Sequence, residues 1–201
     1  MSVARPNPQM AKMVKDSGIL IEGIYEDLKN ATTYDEAATI ILTAMETDQY
    51  LGITRGGVSY SVNNESRIVE YDGRRVRVLF DFTVDESTPQ IETNLLIHDI
   101  GNLQRVYPMS DVIVDGEKTE LIPRLGTPQP ADYMPDLCWV RDFSDGSISV
   151  DVLLNAINTS PGNKTGADKS ESELPVVFIG VAAHFSETEH SPTRMLQFNK
   201  V

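Results

Sequence analysis

Cysteine, histidine and tryptophan are almost missing from this chain: it has one, three and one of them. The lone Cys138 leaves no partner for an intramolecular disulfide. It lies in the apolar run Leu137-Cys138-Trp139-Val140, which reads as a small buried hydrophobe, with a reactive thiol as the alternative. Long hydrophobic runs are missing too. The greasiest stretch, residues 176–185, is strand-sized, far short of what crosses a bilayer. The first residues, MSVARPNPQM, contain no apolar core of a signal peptide. The expected location is therefore cytoplasmic, without membrane insertion or signal-directed secretion. The N-x-S/T triplets at Asn30, Asn64, Asn158 and Asn163 then read as chance matches.

Basic charge is scarce: 17 lysines and arginines stand against 30 acidic residues, a net charge of −13. Residues 1–80 carry nine basic and eleven acidic side chains, and the remainder carries eight and nineteen. Such a surface repels phosphate backbones, which argues against sequence-specific nucleic-acid binding. An acidic lumen would instead let a nucleic acid pass without sticking.

Within residues 1–50 the pattern is helical. Asn7-Pro8 offers a cap and a first-turn proline, and Met10, Met13, Val14, Ile21, Ile24 and Leu28 follow at helical spacings. Gly18 and Gly23 weaken this first helix. Thr33-Tyr34-Asp35-Glu36 is a capping box opening a second helix with Ala37, Ile40, Ile41, Ala44 and Met45 on one face.

From residue 51 onward the period is two. Val58, Tyr60 and Val62 alternate with serines. Val76, Val78, Phe80, Phe82 and Val84 alternate with Arg75, Arg77, Leu79, Asp81 and Thr83. Ile148, Val150, Val152 and Leu154 complete a third set. Each suits a strand with one wet and one dry face. Asp72-Gly73, Asp115-Gly116 and Asp145-Gly146 predict hairpins with type I′ turns. Gly56-Gly57 and Asn63-Asn64 suggest two more turns. The expected fold is mainly β, α+β overall: an antiparallel β-sandwich or barrel of about ten strands with two short N-terminal α-helices. A proline-rich arm spans residues 123–135 and a polar loop spans residues 158–173.

Candidate chemistry is thin, so no catalytic, cofactor-binding or metal-binding residue is assigned. The segment SPGNKTG is not a P-loop, because Asn163 and Asn158 stand where that loop needs glycines. His184 and His190 are six apart, which fits no common ligand spacing. His98 and Asp99, as strand neighbours, would point to opposite faces. Asp81 with Asp85, or Asp142 with Asp151, could form a hydrolase's carboxylate pair, although abundant carboxylates are mostly solvated. Tyr107, Tyr133 and Trp139 are the aromatics a carbohydrate- or protein-binding sandwich would expose.

The remaining signal concerns assembly. Arg67, Arg74, Arg75 and Arg77 cluster around one hairpin, with Arg55 near, while carboxylates dominate elsewhere. An arginine ridge could face carboxylates of a neighbouring copy; a charged edge hairpin that resists pairing is the plainer alternative. Together with Pro128 and Pro130 of the proline arm, these arginines form the candidate interface. Helices within residues 8–48, the Asp-Gly hairpins and the arm at 123–135 give an outline that resembles virion structural proteins of tailed bacteriophages. The resemblance is to the tail-tube, head–tail connector or capsid-decoration kind. It is architectural, carries over no functional residue, and implies a structural role with no cofactor and a virion as the alternative to the cytoplasm. Its partners would be further copies of the chain, as a homo-oligomer, or other virion proteins. A binding module and a hydrolase remain the alternatives.

Overall fold

The computed structural model describes residues 18–47, 49–51, 53–68, 82–96, 104–142, 146–160, 173–183 and 191–200. Glycine shapes the first of these stretches. Gly18 and Gly23 sit at φ 71° and 72°, backbone that a right-handed helix cannot contain. The residues between them therefore leave the expected helix and form β1 (Ile19–Glu22). Helical structure in this first stretch is confined to α1 (Tyr25–Asn30) and α2 (Tyr34–Glu46). The capping box of α2 is present: Glu36 N donates to the Thr33 hydroxyl while Thr33 N donates to the Glu36 carboxylate.

Among the described residues nine strands form, each antiparallel to its partners. After β1 come β2 (Ile53–Ile68), β3 (Phe82–Leu96), β4 (Ser110–Asp115) and β5 (Lys118–Pro123). β6 (Met134–Asp142), β7 (Ile148–Asn158), β8 (Leu174–Ile179) and β9 (Thr193–Phe198) complete the set. Seven form one sheet, in the order β1-β6-β7-β8-β3-β2 with β9 also on β7; among the described residues β4 and β5 pair only with each other. The sheet is not closed into a barrel. It forks instead. β7 pairs with β6 along one edge, while its other edge is shared between β9, over residues 148–153, and β8, at Ile157 and Asn158. Between the two pairings Asn155 takes a φ of 46°, and its side-chain amide donates to the Val181 carbonyl.

The fork produces three layers. Ile19, Ile21, Cys138, Val140, Ile148, Val150 and Val152 meet Leu28, Ala37, Ile41, Ala44 and Met45 of the helices. From the opposite face Leu20, Leu137, Trp139, Leu153 and Ala156 meet Ile91, Leu95, Leu174, Val176 and Phe178 of β3 and β8. Each fully buried Leu, Ile or Phe contributes about 1.5–3 kcal/mol. β6 and β7 thus have no wet face along most of their length, contrary to the alternation expected for residues 148–154.

Several turns differ from expectation. Gly56-Gly57 and Asn63-Asn64 lie inside the 16-residue β2, the glycines at a register shift opposite Thr93 and Asn94, the asparagines paired with Thr88 and Ser87. Between β4 and β5 the central turn residues are Gly116 and Glu117, since Asp115 pairs with Lys118. Gly116 alone is left-handed, at φ 62°, the pattern of a II′ turn in place of I′. The Asp72-Gly73 turn lies outside the described residues, as does Asp145.

Candidate interaction surface

The predicted interface residues are spread over two elements. Arg67 sits exposed on β2 and is paired at 2.9 Å with Asp85 of β3 in its own hairpin. Pro128 is exposed in the β5–β6 connection, and Pro130 opens a short 3-10 turn there (Pro130–Asp132). Arg74, Arg75 and Arg77 lie outside the described residues. The proline segment is tied back by Arg124, which pairs with Asp111 at 3.0 Å and also with Asp132.

The enzyme and binding-module candidates do not converge. Asp142 pairs in register with Ile148, while Asp151 sits opposite Trp139 and is ion-paired to Arg141. Trp139 is 8 % exposed and lies under the Arg141 guanidinium, 4.0 Å from its ring. Tyr107 packs against the second core, and Tyr133 lines a cleft with Glu22 and Arg105. No three His, Cys, Asp or Glu side chains gather into a metal-holding group among the described residues. His98, Asp99, Asp81, His184 and His190 fall outside them. No described helix is long and apolar enough to cross a membrane.

Buried charge is used structurally. Asp136 on β6 is 5 % exposed and accepts the Ile24 backbone N–H at 3.1 Å. The Gly23 and Tyr25 amides and the Cys138 thiol also donate to it. It therefore caps the start of α1, whose own N-terminal residue has no side-chain cap. Burial raises its pKa, opposed by these donors. Burial likewise raises Glu22, against the lowering effect of Arg105, and Asp151, against that of Arg141. Cys138 is fully buried, and its thiol is raised well above its ordinary value by burial and by the Asp136 charge. A thiol so placed is not a nucleophile.

The surface that stands out is apolar. On the β4–β5 hairpin Ile113, Val114 and Ile122 are exposed at 49 %, 68 % and 40 %, and Leu125 just beyond it is fully exposed. Among the described residues the two strands pair with no other strand. The signal for this was in the sequence. Val112-Ile113-Val114 and Leu121-Ile122 break alternation, so the ribbon must carry apolar side chains on both faces. A second open feature is β2, the last strand of its sheet: among the described residues only β3 pairs with it. Beside its Gly56-Gly57 shift lies a shallow groove of about 360 Å³ floored by Glu92, Thr93 and Val176.

Comparison of the sequence with protein-family models and with curated proteins found no match.

Proposed function

We infer that the protein is a non-enzymatic structural subunit that works inside a larger assembly of its own copies or of companion proteins. The observation that carries this is the β4–β5 hairpin. A two-stranded ribbon by itself is marginal in water, yet this one, which no further strand joins among the described residues, holds Ile113, Val114 and Ile122 out to solvent. Burying them against a neighbouring subunit removes both the exposed apolar surface and the lack of support. The two-stranded reach of β2 with residues 82–89 of β3, which β8 does not pair, adds a second projecting element.

Within this class a virion component of a tailed bacteriophage, of the tail-tube, connector or decoration kind, is the particular reading. It is supported by the short N-terminal helices, the antiparallel sheet and the projecting hairpins taken together. The acidic surface, at −13 overall, suits a wall past which nucleic acid slides.

The test is the mass in solution by light scattering after gel filtration, over a range of protein concentration. A defined multimer, or larger particles growing with concentration, is the expected result. A monomer at every concentration removes self-assembly and shifts the function to capture of a different protein.

A further inference from the structure

We propose that β2 is a self-pairing seam: its free edge joins the same edge of a second copy, antiparallel, about a two-fold axis at Ser61. This rests on the assembly reading above and names the contact that builds it.

Three observations fix the seam. First, β2 terminates the sheet, and among the described residues no backbone hydrogen bond ties it to anything but β3. Long bare edges are normally blunted by lysine, proline, a covering segment or brevity. β2 has 16 residues, with neither lysine nor proline. Second, its regular stretch is bounded by two shifts in pairing with β3, between Arg55 and Val58 and between Glu65 and Ser66. A partner strand can therefore lie flat only along residues 58–65. Third, residues 56–64 carry no charge, between Arg55 and Glu65. Two molecules of net charge −13 repel, and an uncharged edge is where they approach with least repulsion. These features select a second copy as the occupant.

Symmetry and the pleat select the register. A two-fold perpendicular to a continuous sheet must place one residue opposite its own counterpart, because facing residues share a face. Centring on Ser61 uses residues 58–64, nearly the whole flat stretch. It sets Tyr60 against Val62 twice, an aromatic–β-branched pairing that stabilises sheets. Ser59 then faces Asn63. Tyr60 is already held, since its hydroxyl hydrogen-bonds Thr193 at 2.7 Å, so little side-chain freedom remains to be lost.

Cysteine cross-linking tests the register. Facing residues in antiparallel strands have Cα atoms about 4.5–5.5 Å apart, inside the disulfide range of about 4.4–6.8 Å. Ser61→Cys is expected to oxidise readily to a covalent dimer. Ser59→Cys is not, because its two copies would stand roughly 14 Å apart along the strands. Cys138, buried, does not compete. Ser61→Glu places two carboxylates face to face and is expected to weaken association by about tenfold or more, with the melting curve of the isolated chain unchanged. Wild-type association without selective Ser61→Cys cross-linking, or unaffected by Ser61→Glu, overturns the seam and leaves the assembly reading standing. A wild-type chain that is monomeric at all concentrations overturns both.

Discussion

Asp136 shows how one residue couples stretches of the chain that lie 112 residues apart. Its carboxylate, on β6, receives amides from residues 23–25 and so fixes the turn from β1 into α1. Asp136→Ala leaves those donors buried without an acceptor, which costs about 1–3 kcal/mol. Chemical denaturation should show that loss, and a change below about 0.5 kcal/mol would mean that water replaces the carboxylate. Acidity adds a second expectation. Glu22, Asp136 and Asp151 all have folded-state pKa values raised by burial. Their contribution to stability is full below the ordinary carboxylate range and is lost as pH rises through the raised values. Glu36 behaves oppositely. Backbone donors Thr32 and Thr33 lower it, so its contribution is lost only when pH falls through that lowered value. The melting temperature should therefore rise as pH falls from neutrality toward the ordinary carboxylate range of about 4, and fall again as pH drops through the lowered value of Glu36. Circular dichroism melts from neutral to acidic pH decide the matter; a midpoint that falls steadily as the ordinary carboxylate range is approached contradicts it.

At the scale of elements the fork in the sheet is the feature most exposed to a small change. Gly180, just past β8, donates its amide to the Pro89 carbonyl, and a Cβ there would stand 2.7 Å from the Pro192 carbonyl oxygen and 3.3 Å from Leu154 O. Both obstacles are backbone, so neither can swing aside. Gly180→Ala should destabilise by about 1–3 kcal/mol, read as a lower denaturation midpoint; wild-type stability would show that β8 and β9 slide apart freely. This fork was not legible in the sequence, since nothing in a period-two pattern says that one strand serves two partners. The capping box at Thr33 and Glu36 was legible because both halves of it are local. Turn identities fared less well. Gly56-Gly57 and Asn63-Asn64 carry turn chemistry, but 14 residue pairs with β3 outweigh that local preference and keep β2 continuous. Helical spacing likewise predicted Ile21 and Ile24 on one helix, whereas the left-handed Gly18 and Gly23 deliver Ile21 to the sheet. Of the candidate interface, Arg67 lies exposed on β2. Its carboxylate partner proved to be Asp85 across the same hairpin, a pairing that depends on register.

For the whole molecule the decisive quantity is how charge and association combine. If arginines of one copy held carboxylates of the next, salt would screen the attraction and loosen the assembly. Arg67 already has an intramolecular partner at 2.9 Å, which leaves it less to offer a neighbour. The seam along β2 predicts the reverse. Its contacts are backbone hydrogen bonds and the uncharged side chains of residues 58–64, while the long-range force between two chains of −13 is repulsive. At about 0.02 M salt the Debye length is about 20 Å and the bodies of the two copies repel across the seam; at about 0.3 M it is about 6 Å and they hardly do. Association should therefore tighten several-fold between those salt concentrations, an effect that sedimentation equilibrium measures directly. Tightening that is steeper in Ser61→Glu than in the wild type, because salt also screens the two facing carboxylates, would place the salt effect at the seam itself. Loosening with salt would instead assign the assembly to arginine–carboxylate contacts and leave the edge of β2 bare.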